Sequence, residues 1–407
     1  VVSPSRAAAF DILMLVGQGG YAVDLLASRT AALDPRDAGL ASEIVLGSLR
    51  YQAQLDFLIE SLAKRPAARL DPEVRTALRM GIYQIRYLTR VPPHAAVGES
   101  VELVKRARKR SAAPLVNAVL RKTHRDPVTW PDRATELSIP AWLLDRWDRH
   151  YGPDTATVIA RAALTPPETY VRISEASQKE PGTLRASSDA DRKLSASQAC
   201  PRDFLAPTDV PGAFRLPVGQ ALPPASNLRI QDIGAQSIVP LLDLSPGQSY
   251  LDLCAAPGNK TAQALESGVR AVACDIHWSR LAPMKSLGCP LVVLDAAAPL
   301  PFARTFDRIL VDAPCTGTGT LARNPEIKWR LRPDDIDRLH AYQVRLLRNA
   351  LAALAPGGRL VYSTCSLERE ENEGVVEEAQ VVAKRTWRRI PGLDPGDGFF
   401  AAVITSE

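Results

Sequence analysis

Cysteine is scarce in this chain, and its placement excludes two common uses. Cys200, Cys254, Cys274, Cys289, Cys315 and Cys365 are the only six among 407 residues. That is too few and too scattered for a disulfide framework, and no C-x-x-C pair offers zinc-site spacing. Both absences suit a reducing compartment, so a cytoplasmic location is expected. Five histidines form no cluster, and no metal is expected. No apolar run reaches the roughly 18–20 residues that cross a bilayer, so no membrane role is expected. The stretch "VVSPSRAAAFDILML" lacks the apolar core and cleavage site of a secretion signal. Two nucleotide fingerprints are also missing, G-x-G-x-x-G and G-x-x-x-x-G-K-[ST]. What is present is ordinary for a globular protein, with 46% hydrophobic and 23% charged residues. A net charge of +5 leans toward a polyanionic partner without naming one.

Three regions differ in texture. Residues 1–140 read as an all-helical bundle. Leu55, Leu58, Ile59 and Leu62 repeat at helical spacing, as do Val74, Leu78, Ile82 and Ile85. Asp71-Pro72-Glu73 supplies a capping acid, a first-turn proline and a second acid for the positive end of a helix. Leu115, Val116, Val119 and Leu120 mark another. Residues 141–222 are expected to form a small α+β linker domain that contacts RNA. Its helical start carries Trp142 and Trp147 as core or interface residues, "TYVRI" is a strand, and irregular loops follow, because 172–226 hold seven prolines. From 223 to 407 strands alternate with helices: "SYLDLCAAP", "RAVACDI", "LVVLDAA", "FDRILVDAP" and "GGRLVYSTC" are strands. This alternation predicts a parallel, doubly wound α/β sheet. Such sheets bind ligands beyond the carboxyl ends of their strands, where Asp252, Asp275, Asp295, Asp312, Cys315 and Cys365 all fall.

The cofactor class follows from one turn. "LDLCAAPGNKT" reads as strand, small-residue turn, helix. Asp275, 23 positions beyond Asp252, is placed to accept from ribose hydroxyls. A ribose acid without a phosphate cradle favours a nucleoside lacking phosphates, and S-adenosylmethionine (SAM) is the natural candidate. Asp295 is placed to contact the adenine, and Asp252 to brace the turn. In the bundle, residues 101–125 hold eight Lys/Arg against one acid. Lys105, Arg106, Arg108, Lys109 and Arg110 are nearly contiguous, and Arg121, Lys122 and Arg125 follow. The run reads equally as a solvated helix end or as a phosphate-binding patch on RNA.

Four stretches in order, "LDLCAAPGNKT", "VDAPCTGTGTLARNPEIKWR", "VYSTCSLEREENE" and "DGFFAAVI", resemble the RNA cytosine-C5 methyltransferases of the NOL1/NOP2/sun family. "GESVELVKRARKR…LVNAVLRK" resembles the NusB-type RNA-binding helical domain. Together they point to the bacterial 16S rRNA branch of that family, the RsmB (Fmu/Sun) type. Two departures stand out: Asn259 replaces the second glycine of the usual "APGGKT", and Thr316 stands where serine often follows the Pro-Cys.

The resemblance implies a multidomain chain: a NusB-like helical bundle, a linker domain and a Rossmann-like class I SAM-dependent methyltransferase. It implies Cys365 as the nucleophile that adds to C6 of cytosine, so that C5 can take a methyl group. Cys315 becomes the second thiol, which assists release of methylated RNA. Asp312 meets the cytosine amino group or N3 and lies near the methionine of SAM. Lys260 orients Asp312 or the base. Cys254, Ala255, Ala256, Pro257, Gly258, Asn259, Lys260, Asp275, Arg280, Asp295 and Asp312 are the expected cofactor contacts. Arg323, Lys328 and Trp329 join the basic run as RNA contacts. The implied substrate is the cytosine at 967 of 16S rRNA, single-stranded or flipped out, in RNA not yet assembled into subunits, and a monomer is expected. Two rivals remain: a DNA cytosine methyltransferase using Cys315 as nucleophile, and a non-catalytic RNA-binding assembly factor that keeps a SAM fold.

Overall fold

A computed structural model describes residues 2–174, 205–218, 220, 222 and 228–406. Cys200 and most of the expected irregular loop lie outside the described residues. The described chain forms two units, 1–166 with 320–331, and 167–319 with 332–407.

The first unit is helical. Its expected helices appear over Gln52–Ala63, Pro72–Tyr87 and Ala113–Arg121, packed with others around a core that includes Ile44, Leu55, Ile59, Leu78 and Ile82, all fully buried. Pro72 opens its helix as expected. Asp71, however, does not cap it; its carboxylate pairs with Lys109 Nζ at 2.9 Å. The helices Ala141–Tyr151 and Pro153–Ala162, at the start of the expected linker, fall within this unit. Trp147 is fully buried and Trp142 half-buried.

The segment 320–331 also belongs here by its contacts. Lys328 Nζ donates to the Arg50 carbonyl at 2.8 Å, Trp329 Nε1 to the Leu49 carbonyl at 2.6 Å, and Arg50 returns a bond to the Ala322 carbonyl at 2.9 Å. Lys328 is completely buried, and burial, with Arg50 adding repulsion, holds its ammonium well below the usual lysine range. The RNA-facing role expected for Lys328 is therefore corrected, while Trp329 is half-buried with its indole N–H held by backbone. Both anchor this segment to the bundle, and a lysine whose donors are buried against backbone offers nothing to a phosphate. Arg323 is half-buried.

The second unit holds two sheets. Strands β1 (Thr169–Ile173), β2 (Ala206–Pro207), β3 (Ala213–Leu216) and β4 (Leu228–Ile230) form a small antiparallel sheet in the order β2-β3-β1-β4. The larger sheet comprises β5 (Ser249–Asp252), β6 (Arg270–Asp275), β7 (Leu291–Val293), β8 (Phe306–Asp312), β9 (Leu354–Thr364), β10 (Arg385–Arg389) and β11 (Phe399–Thr405). Its order is β10-β11-β9-β8-β5-β6-β7. The five expected strands run parallel, as predicted. Two further strands, β10 and β11, join antiparallel at one edge, so the sheet is mixed. They escaped the periodicity reading because the "DGFFAAVI" strand is buried along most of its length and shows no alternation. The order reverses beside β5, between its neighbours β6 and β8. A crevice opens at such a reversal beyond the carboxyl ends of the strands, and Asp252, Asp275 and Asp312 end β5, β6 and β8 there. No helix among the described residues is long and apolar enough to cross a membrane.

Candidate active site

The turn after β5 is built from residues small enough to leave room. Gly258 adopts φ +105°, and a Cβ there would lie 2.9 Å from the Met284 side chain, so both backbone and packing require glycine. Asn259 is already the first residue of the helix Asn259–Leu265 and is not among the positive-φ residues. Its substitution for glycine therefore costs the turn nothing. The Thr261 hydroxyl donates to Asp252 at 2.7 Å and the Tyr250 hydroxyl at 3.2 Å. Asp252 thus braces the turn from beneath. Burial pushes its carboxyl up to about 6, although the Thr261 bond pulls the other way.

A cavity of about 230 Å³ opens above this turn, and Cys254, Ala256, Asp275, Arg280, Asp312, Cys315 and Cys365 all line it. Asp275 Oδ1 accepts from the His277 amide at 3.0 Å, while Oδ2 lies 3.8 Å from Arg280. That distance is beyond a hydrogen bond and leaves an acceptor for a diol. Ala255, Pro257, Gly258, Asn259, Lys260 and Asp295 shape the surroundings without lining the cavity. Asp295 is exposed and accepts from the Tyr342 hydroxyl at 2.9 Å; Tyr342 itself lines the wall, as does Ile276. Neither residue stood out in the sequence, since nothing but proximity marks them.

Asp312 sits at the centre. Registration of β8 with β9 sets Asp312 opposite Ser363, whose hydroxyl donates to Oδ1 at 2.8 Å, while Lys260 Nζ bonds Oδ2 at 2.6 Å. Burial alone would lower the Lys260 ammonium. The adjacent Asp312 carboxylate outweighs it, with Cys365 and Asp252 adding their charge, and holds it above its ordinary value. The ammonium also lies 5.3 Å from the Phe399 ring centroid, which brings the "DGFFAAVI" strand to the site.

The loops that leave β8 and β9 carry the two thiols side by side, with Cys315 Sγ and Cys365 Sγ 3.4 Å apart. Backbone contact makes this approach possible. Gly319 donates to the Cys365 carbonyl at 2.9 Å and accepts from Gly398 at 2.8 Å, and a Cβ at Gly319 would sit 2.4 Å from the Gly398 oxygen. Glu371, which sequence reasoning missed, ties both loops together from within. It accepts from the Thr316 amide at 2.9 Å, the Thr316 hydroxyl at 2.5 Å, the Ser366 hydroxyl at 2.5 Å and Gln343 at 3.0 Å. Thr316 is therefore a working donor where the family often has serine. The signal for Glu371 was an acid six residues after Cys365 within "EREEN". Cys315 is pushed well above the ordinary thiol range by its bond to Cys365, then by burial, then by the charges of Cys365 and Glu371. The two thiols thus have unlike charged neighbours: Lys260 interacts with Cys365, and Glu371 with Cys315.

In the helical unit the basic run is divided. Lys105 pairs with Glu102 at 2.7 Å, Arg106 with Asp11 at 2.6 Å and Lys109 with Asp71 at 2.9 Å. Arg108, Arg110, Arg121 and Lys122 are exposed.

A sheet of this topology, with an acid at the end of its second parallel strand and a small-residue turn after its first, is that of a SAM-dependent methyltransferase of the Rossmann-like class. The comparisons agree. Residues 239–391 match the family model for the 16S rRNA methyltransferase RsmB/F, and residues 3–125 match that for the NusB family. The ribosomal RNA small subunit methyltransferase B of Salmonella arizonae is 33% identical over 432 residues, covering 98% of each chain. That of Yersinia enterocolitica is also 33% identical, over 98% of this chain and 97% of its own. The chain belongs to the ribosomal RNA small subunit methyltransferase B family, and its cofactor is SAM. Among solved structures, the protein PH0851 superimposes with a TM-score of 0.77 at 21% identity, over 100% of this chain and 99% of its own. A methyltransferase homolog from Pyrococcus horikoshii does so with 0.52 at 28% identity, over 69% and 100%.

Proposed function

We propose that this protein transfers a methyl group from SAM to C5 of a cytosine in 16S rRNA, at the nucleotide numbered 967, through a covalent adduct with Cys365. The observation that carries this reading is the thiol pair 3.4 Å apart at the cavity edge beside Asp312, with a cation near one sulfur and a carboxylate behind the other. A methyltransferase acting on oxygen or on an amine has no need of two thiols. An unactivated cytosine C5 does need one, because only nucleophilic addition at C6 makes C5 electron-rich.

SAM supplies an electrophilic methyl group when bound; the remaining roles belong to the chain. Asp275 and Arg280 would hold the nucleoside end, and Cys254 and Ala256 would pack against it. The Cys365 thiolate, beside the Lys260 cation, forms a bond to C6 and pushes electrons toward C5. Asp312, fixed by Lys260 and Ser363, orients the base through its amino group or N3. After methylation the C5 proton leaves to a base and the C6–sulfur bond breaks, restoring the ring and the Cys365 thiolate. Cys315 assists this release. The substrate is free rRNA rather than assembled subunits, and the protein acts in the cytoplasm as a monomer.

Methyl transfer from labelled SAM to unmethylated small-subunit rRNA tests the reading. Wild type should yield 5-methylcytosine, Cys365→Ala none, and Cys315→Ala a protein–RNA adduct that survives a denaturing gel. Activity in Cys365→Ala with none in Cys315→Ala would exchange the two thiols, as a DNA-type mechanism requires.

A further inference from the structure

We propose that the cleft between the helices Pro93–Arg106 and Ala113–Arg121 binds the phosphodiester backbone of the substrate RNA, and that the ion-paired cations Lys105, Arg106 and Lys109 do not. The inference rests on the RNA reading above and assigns it a surface.

The cleft has a volume of about 580 Å³, and its polar lining includes His94, Asn117, Arg121, His124 and Arg125. No carboxylate is among the described residues that line it. Val97 and Leu120 contribute an aliphatic floor, which suits the apolar face of a ribose. Arg125 is locked in place by donating to the Ile85 and Leu88 carbonyls, at 2.8 and 2.9 Å. Those bonds fix the guanidinium without neutralising it. Arg121 is exposed and, among the described residues, bonds the neutral Asn117 amide oxygen at 3.1 Å. His94 lies in the first turn of the 14-residue helix Pro93–Arg106, whose N-terminal amides add positive potential.

The basic run has the opposite character. Lys105, Arg106 and Lys109 each already hold a carboxylate within 2.9 Å. Beside each of these three cations a carboxylate already offsets the positive potential that a phosphate would meet, so less is gained from counterion release there. Cation density along the sequence overstates this stretch, while the cleft gathers its cations from two helices and the loop after them.

The test is binding of the full-length protein to an unmethylated 16S rRNA transcript, measured by filter retention across a salt series. Arg121→Glu/His124→Glu should weaken binding about tenfold or more. The milder Arg121→Gln should flatten the dependence of log K on log salt by about 1, the share of one lost phosphate contact. Lys105→Glu/Arg106→Glu should change affinity less than about twofold. Thermal midpoints of all variants establish that they fold, and the Gln variant keeps the test decisive if the double Glu variant does not. Unchanged binding by the cleft variants, or an equal loss in the 105/106 variant, overturns the proposal, and the cleft then belongs to a protein partner or to none. Wild type that neither binds nor methylates the transcript would instead sink the RNA reading itself.

Discussion

Lys109 in the helical unit and Lys260 in the catalytic unit each hold an aspartate, at 2.9 Å from Asp71 and 2.6 Å from Asp312. The lengths are similar and the consequences are not. Lys109 and Asp71 are about one-third and one-half exposed, whereas Lys260 is 14% exposed. In water the attraction is screened and ordering two long side chains cancels most of it. Inside the sheet edge the same attraction is strong, and removing one partner strands the other. The exposed basic run of the helical unit thus carries charge that is interchangeable. The catalytic unit carries a few charges that fix one another's positions, and through them two thiols.

The sharpest break of that contrast is at Glu371. Replacing it with alanine leaves four donors without their acceptor, two from the Thr316 loop, one from the Ser366 loop and one from Gln343. Glu371→Ala should destabilise the chain by about 3–5 kcal/mol in urea unfolding. Glu371→Gln should cost less than half of that, because the Thr316 and Ser366 hydroxyls can turn to accept. An equal cost in both variants would show that the charge, not the bonding pattern, holds the loops. Next comes Lys260→Met. It removes the cation beside Asp312 and Cys365, and methyl transfer should fall on the order of 10²–10³-fold with little change in thermal midpoint. A fall below tenfold would mean that Ser363 alone fixes Asp312.

How far each region was legible follows the same division. The parallel strands, the helices at 52–63 and 72–87, and the edge that collects Asp275, Asp312 and both cysteines could be read, because apolar periodicity and strand ends are local in sequence. Strands β10 and β11 could not, since neither alternates, β11 depends on β9 for a partner and β10 depends on β11. Ser363 was missed because its meaning lies in registration across strands, and Glu371 because its partners Thr316 and Gln343 lie far from it in sequence. Lys328 was misread for the related reason that a basic and aromatic cluster looks alike whether it faces solvent or backbone carbonyls. The two carbonyls that hold Lys328 and Trp329, those of Arg50 and Leu49, lie some 280 positions away.

A smaller effect should appear at Asp252. Its carboxyl rises from an ordinary 3.8 to about 6 on folding, with burial as the main cause. A raised acid binds its proton more tightly in the folded chain. Its contribution to stability is therefore fully present below about pH 4 and is lost as pH rises through 6. Asp252→Asn keeps an acceptor for Thr261 and has no proton to lose. Over pH 4 to 7 the stability of wild type should decline relative to that variant by about 1–3 kcal/mol. Parallel pH profiles for the two proteins would show that the carboxyl is ionised throughout.

The smallest effect belongs to the exposed pair. Asp71→Ala removes the partner of Lys109, but Pro72 still opens the helix and the Asp71 side chain makes no capping bond to lose. Glu73 remains 3.9 Å from the lysine and takes up part of its charge. The thermal midpoint should move by less than about 2 °C, and the difference should vanish in high salt. A larger, salt-resistant loss would mean that this pair is held as rigidly as Lys260 and Asp312, and that exposure does not separate the two regions after all.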